Sequence, residues 1–230
     1  ALRAAIAASE EAELYDCQIS GDRLTLTAKG VGAHAARLYD GKNAVSYLMK
    51  LLSRLPLEGE LKEVVDFYNA RGTCIYGELM DLKVSDETGP LTLNVGRIFV
   101  KDGKLHLYCD CRMPICKEIP EVEEKVKAAI AGSGYTYAVQ STEGSLYVPK
   151  DSPLVTTLMG AYQKVTGDTQ RQPIASGGAT YSRTIPNCVS FGCLLPEQED
   201  LMHKADEYVE LRHLRIWLEV MVEAIYRLAK

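Results

Sequence analysis

Leu91-Thr92-Leu93-Asn94-Val95-Gly96-Arg97-Ile98-Phe99-Val100-Lys101-Asp102-Gly103-Lys104-Leu105-His106-Leu107-Tyr108-Cys109-Asp110-Cys111-Arg112 is the most legible stretch of this 230-residue chain. Apolar and polar residues alternate on both sides of Asp102-Gly103, a dipeptide that favours a two-residue hairpin turn. The pattern predicts antiparallel strands over 91–100 and 104–112. Arg112 then stands at a strand end, directly before Met113-Pro114.

Upstream, 14–19 and 23–29 read as a second strand pair joined by Ser20-Gly21-Asp22. The first 13 residues look helical. Residues 30–41 hold three glycines and His34 with little periodicity, which predicts a loop. Asn43 is placed to cap a helix whose apolar positions Val45, Leu48, Met49, Leu52 and Leu55 follow the 3.6-residue period up to Pro56. Further helices are expected over 61–70 and 121–131, and a strand over 135–140. Strand pairs interleaved with helices suit an antiparallel sheet with its helices packed on one face.

The pattern changes near 144–151. Ser152-Pro153 opens a helix to about Val165, 188–192 reads as a short buried strand, and 193–207 is a polar loop holding His203. A final helix is expected from 210 to 229. This order is α/β layering over too few residues for a complete doubly wound sheet. The expected class is therefore α/β and α+β: a ferredoxin-like antiparallel sheet domain over 1–145, then part of an α/β domain over 146–230.

Hydrophobic residues make up 47% and charged residues 25%, enough apolar material for a packed core. The formal net charge of -5 argues against a nucleic-acid partner. No apolar run reaches the roughly 18 residues of a membrane-spanning helix, so no membrane partner is expected. The seven cysteines form no zinc-ribbon spacing and suit reduced thiols in a cytoplasmic protein. The chain opens Ala1-Leu2-Arg3 without Met and without an N-cap, as though it begins inside a helix.

Few residues carry chemistry on spacing alone. There is no G-x-S-x-G elbow, Walker A loop, H-E-x-x-H or H-x-D. Of the four histidines, His106 and His213 fall within regular elements, whereas His34 and His203 lie in loops. Gly177-Gly178 is open to two readings: a tight turn, or a backbone site for a carboxylate. Arg112 is equally open, to a sheet-edge ion pair or a bidentate grip on a substrate carboxylate.

Three stretches taken together are more specific. Thr27-Ala28-Lys29-Gly30-Val31-Gly32-Ala33-His34-Ala35, with the helix start Asn43-Ala44, resembles the G-x-x-A/S-H loop of zinc metallopeptidases of the aminoacylase and carboxypeptidase clan. Ser176-Gly177-Gly178-Ala179-Thr180-Tyr181-Ser182-Arg183 resembles the G-G-G-T-Y-A-R segment of its bacterial dipeptidase branch, the dipeptidase V or Xaa-His dipeptidase group. Leu195 to Tyr208, with Met202-His203, is similar to the segment holding that branch's last metal-ligand histidine.

The resemblance implies a dinuclear-zinc enzyme whose catalytic domain is interrupted by a lid. Residues 1–145 would be most of the lid and 146–230 the closing part of the catalytic domain. His34 would donate to the oxyanion of the tetrahedral intermediate. Arg112 would hold the C-terminal carboxylate of a short peptide, supported by the backbone of Gly177, Gly178 and Ala179. His203 would be a zinc ligand. The family's other ligands and its general base lie upstream of this point, so the resemblance implies a missing N-terminal catalytic segment as partner and an inactive isolated fragment. Ser176 and Ala179 stand where glycines are expected. The alternatives are an N-acyl amino acid deacylase of the same clan, and a non-enzymatic module that binds peptide carboxylates.

Overall fold

The computed structural model describes residues 1–178, 180–192, 194–202 and 206–230. It combines helices with antiparallel strands, the mixed class expected, and its contacts divide the chain into two compact units, Ala1–Ser141 and Thr142–Lys230.

The first unit opens with α1 (Leu2–Ala7), which is shorter than the 13-residue expectation. No side chain caps its start, it buries nothing, and the Ser9 hydroxyl takes the Glu11 N–H, offering the backbone an alternative to the next helical turn. Strands β1 (Tyr15–Ser20) and β2 (Arg23–Ala28) pair antiparallel. Helices α2 (Ala44–Leu52) and α3 (Gly59–Arg71) follow. The stretch after α3 holds a minimal hairpin, β3 (Ser85–Asp86) with β4 (Gly89–Pro90). Then come β5 (Thr92–Lys101), β6 (Lys104–Arg112) and α4 (Ile119–Ile130).

The β5–β6 turn forms as its sequence demands, with Asp102 and Gly103 at φ 52° and 70°. The register is interrupted once, between Val95 and Arg97. Leu91, Leu93 and Val95 share one face and are buried against α4 and against α2 and α3. Strict alternation would next send Arg97 into that core. The bulge at Gly96 adds one residue, so Ile98, paired with Leu107, joins the core instead. The helices therefore lie on one face of this hairpin.

The bulge leaves polar backbone inside the unit, and three side chains serve it. Tyr68, 1% exposed, donates its hydroxyl to the Val95 carbonyl at 2.7 Å. Asn43 donates to the same carbonyl at 3.1 Å and to Asn94 Oδ1 at 2.8 Å. Since Tyr68 donates forward, the Ser46 hydroxyl at 2.9 Å must donate to Tyr68 Oη.

Two expectations about strands change. Among the described residues every ladder joins sequence neighbours, so the antiparallel character comes from three two-stranded pairs. Residues 135–140 form no ladder; Tyr135 stacks on Phe67 at 4.1 Å between ring centroids, and Tyr137 lies under Lys127. Side-chain docking, not backbone pairing, holds that alternating stretch.

The second unit is built on α5 (Pro153–Thr166) and α6 (Leu211–Leu228). Ser152 caps α5, accepting from the Val155 N–H, with Pro153 in the first turn, and Gly167 at φ 74° ends it. Leu158, Ala161 and Tyr162 pack against Val220 and Ala224 of α6, with Val189 and Phe191 over them. Residues 188–192 form no ladder among the described residues, and a strand exists only with a paired neighbour.

Among the described residues no helix is long and apolar enough to cross a membrane. Gly160 tests the α5–α6 packing. A methyl group there meets only the end of the flexible Arg227 side chain, whose Nε also holds Glu223 at 2.7 Å. Gly160→Ala should therefore stabilise the unit by about 0.5–1 kcal/mol through helix propensity; a lower urea midpoint would show that Arg227 is fixed in place.

Candidate active site

The face of the β5–β6 hairpin opposite the core is polar where the strands end. Thr92 pairs with Arg112 and Asn94 with Asp110. Arg112 and Asp110 are two apart on one strand and so project to the same side. Arg112 Nε and Nη2 donate to Asp110 Oδ1 and Oδ2 at 2.7 and 3.1 Å. The sheet-edge ion pair is thus present, and it orients the guanidinium while taking two of its five N–H donors.

The loop carrying His34 is fastened onto this face. Thr92, 2% exposed, donates its hydroxyl to the Ala35 carbonyl at 2.8 Å. Because Thr92 faces Arg112 across the ladder, that bond brings the His34 segment and Arg112 to one end of the hairpin. The loop's ends are latched by Val31 N–H to Lys42 O at 3.0 Å and Lys42 N–H to Val31 O at 2.9 Å. Gly30 and Gly41 permit the latch: a Cβ on Gly41 would lie 2.8 Å from the Val31 carbonyl, and one on Gly30 2.7 Å from that of Lys42. Asn43 completes the attachment, capping α2 through the Ser46 N–H at 3.1 Å while holding Asn94.

The ring of His34 has a defined tautomer. The Ala36 N–H donates to Nδ1 at 3.2 Å, so Nδ1 is an acceptor and the neutral imidazole carries its proton on Nε2. The side chain is half-buried and presents an N–H donor, the requirement of an oxyanion contact.

Burial pushes the Cys111 thiol on the core face up to about 11, with Asp110 adding to the shift and Arg112 opposing it. Burial likewise pushes Tyr68 up to about 12 against the hydrogen bonds from Ser46 and Asn43. The folded protein keeps protons that the unfolded chain releases, so this stability is complete below about pH 9 and is lost as pH climbs through 9–12. A urea midpoint that stays level from pH 8 to 11 would contradict it. At pH 8, alkylation of Cys111 should be on the order of a hundredfold slower in the folded than in the unfolded protein.

In the second unit, Gly177 and Gly178 lie in a bend. The Gly178 N–H donates to Ser176 Oγ at 3.2 Å, and its carbonyl accepts from Arg183 Nη2 at 3.3 Å. Arg183 is itself paired with Glu143 at 2.7 Å. A carboxylate arriving here would compete with the Ser176 hydroxyl for the Gly178 N–H. Thr180, Ser182 and Ser190 bond one another just beyond, tying this turn to 188–192. Ala179 and His203 lie outside the described residues.

The remaining histidines sit in packed surroundings. His106 stacks on Phe99, and His213 is 1% exposed with Nε2 3.2 Å from Glu197 Oε1, without hydrogen-bond geometry. The six described cysteines are free. Among the described residues no group of three or more His, Cys, Asp or Glu is placed to hold a metal ion, so these donors alone do not fit a zinc centre.

Sequence reading missed three contributors to this site: Thr92, Asp110 as the orienting partner of Arg112, and Asn43 as a tether as well as a cap. The spacing of Asp110 and Arg112 was the one signal available. Thr92 and Asn43 act across 57 and 51 residues and left none.

A glycine-latched histidine loop beside a strand-end arginine, in a chain of mixed class, has a match among known families. Residues 7–227 match peptidase family M20/M25/M40, and the chain belongs to that family. It is 32% identical over 209 residues to a Staphylococcus epidermidis protein named "Putative dipeptidase", which covers 89% of this chain and 44% of that protein. Similar proteins of the same description occur in Staphylococcus haemolyticus, 32% identical over 214 residues, and Staphylococcus aureus, 31% over 216. They cover 91% and 93% of this chain and 45% and 46% of their own lengths, so the chain spans less than half of the curated relatives it matches.

Proposed function

We propose that this chain is the substrate-binding lid and the closing part of the catalytic domain of a zinc-dependent dipeptidase in the dipeptidase V branch. Its substrates are short peptides with a free C-terminal carboxylate. The observation that carries the reading is the Thr92–Ala35 hydrogen bond opposite Arg112, because it supports joint action of His34 and Arg112 on one small substrate. In this reading 1–145 is the lid and 146–230 belongs to the catalytic domain.

Arg112, oriented by Asp110, binds the carboxylate; within its own unit the turn at Gly177, Gly178 and Ala179 is a further candidate carboxylate site through its backbone. His34 gives its Nε2 proton in a hydrogen bond to the carbonyl oxygen as negative charge builds there. His203 supplies one zinc ligand. The other ligands and the general base come from a polypeptide segment outside these 230 residues. The work of this chain is accordingly to bind, orient and stabilise, and alone it is inactive. A cytoplasmic location suits its free thiols.

The test is hydrolysis by this chain combined with such a metal-bearing segment, assayed on dipeptides, C-terminally amidated dipeptides and N-acyl amino acids with and without a chelator. Chelator-sensitive cleavage of free dipeptides alone is the expected result. Preference for N-acyl amino acids would assign a deacylase, and equal cleavage of the amides would remove Arg112 from its role. Hydrolysis by the isolated chain would overturn the division of labour.

A further inference from the structure

Position 213 breaks the pattern of its own helix. With Trp217, Val220 and Ala224 it stands at i, i+4, i+7 and i+11 of α6, the spacing of that helix's packed stripe. An apolar side chain suits such a place. His213 occupies it instead, 1% exposed, and among the described residues it is the one buried side chain whose polar atoms, Nδ1 and Nε2, have no hydrogen bond. A ring buried in that state costs stability, so packing alone does not account for it.

Its Nε2 lies 3.2 Å from Glu197 Oε1. Glu197 sits on a turn that closes on itself: the Leu195 N–H donates to Gln198 Oε1 at 2.9 Å, and the Gln198 N–H donates to the Leu195 carbonyl at 3.0 Å. Leu195, 4% exposed, plugs the turn into the cluster of Tyr162 and Val220. One side of the turn is thus held by an apolar plug, and the other reaches the buried imidazole through an exposed carboxylate.

The remaining charged and titratable groups around this junction are engaged elsewhere. Glu210, just before α6, is paired with Arg212 at 2.7 Å, which holds its carboxyl below the usual range. Asp168, beyond the end of α5, accepts from Tyr162 Oη at 2.8 Å and is likewise held low, while burial pushes that tyrosine up. Arg171 donates to the Leu194 carbonyl at 3.3 Å. These groups keep their charge states in the range near neutrality where an imidazole gains or loses a proton.

We propose that His213 is a positioning residue for the segment 194–202, and that its protonation latches that segment to α6 through Glu197. A neutral ring has a single N–H to offer a carboxylate. The imidazolium donates from both nitrogens and carries the charge that makes this contact an ion pair. Loss of the proton releases the turn, leaving Leu195 as its anchor. The chain runs on from this segment to His203, so the latch makes the presentation of that residue depend on pH, a consequence that rests on the peptidase reading.

The test is hydrogen exchange of the 230-residue chain, read by mass spectrometry as protection of 194–202 after correction for intrinsic exchange rates. Protection should be about tenfold higher near pH 5.5 than near pH 8, with that of α5 little changed. Glu197→Gln, at an exposed position, should remove the difference, and His213→Gln should do the same. A flat profile in the parent chain, a difference of opposite sign, or one that survives in Glu197→Gln overturns the latch; that variant decides even where His213→Gln fails to fold. No substrate enters this assay. A latch seen by exchange in an assembled enzyme that cleaves no dipeptide would retire the peptidase reading and keep the latch; cleavage without pH-dependent protection would do the reverse.

Discussion

His34→Ala, in an assembly of this chain with its metal-bearing segment, is expected to lower kcat on dipeptides by roughly 10²–10³-fold with little change in KM. The reason is the ring's tautomer. The Ala36 N–H occupies Nδ1, so the neutral ring carries its donor on Nε2, and an oxyanion contact there strengthens only as the bond is attacked. A contact that strengthens in the transition state appears in kcat. His34→Gln keeps an N–H near the same place and should recover part of the loss, which simple misfolding of the loop would not allow. Arg112→Lys should behave differently, raising KM by tenfold or more, because an ammonium cannot reproduce the two parallel bonds of a guanidinium. If His34→Ala instead raised KM and left kcat intact, the histidine would be a binding residue and the oxyanion role would be lost.

Asn43→Ala should destabilise the first unit by about 2–4 kcal/mol, an unusually large effect for a half-buried polar residue. Three bonds disappear at once: the cap of α2 at the Ser46 N–H, the contact with Asn94, and one of two side-chain donors to the Val95 carbonyl. The cap accounts for about 1 kcal/mol and the bonds at the bulge for the rest. Asn43→Asp separates the contributions, since a carboxylate still caps the helix but cannot donate to Asn94 or Val95; roughly a quarter to a half of the loss should return. The measurement is urea unfolding followed by circular dichroism. An Asn43→Ala midpoint within 0.5 kcal/mol of the parent would mean that Tyr68 alone satisfies the bulge. Because Asn43 also follows the Lys42 end of the loop latch, the variant should slow hydrolysis by the assembled enzyme as well.

Much of the local structure was readable before any coordinates. The hairpin at Asp102-Gly103, the α2 start at Asn43 and the Ser152-Pro153 start of α5 rest on short-range rules of backbone geometry and capping. The misplaced elements share a cause. Residues 135–140 and 188–192 have strand-like composition, but a strand exists only through a partner's backbone, and neither stretch has one beside it among the described residues. The unexpected break after α1 is similarly local, at Ser9.

The amino-acid sequence alone supplied the candidate site residues, the resemblance of the His34 and Gly177–Gly178 segments to those of a peptidase family, and the positions of most turns and caps. Tertiary structure decided which of those residues meet. The Gly96 bulge sets which side chains of β5 enter the core, the Val31–Lys42 latch shapes the His34 loop, and the Thr92–Ala35 bond carries that loop to Arg112. Each is a contact between chain segments brought together by packing, and Thr92 and Ala35 are 57 residues apart. Alternation, periodicity and capping act over a few residues, whereas the meeting of distant segments depends on burying the apolar faces those patterns create.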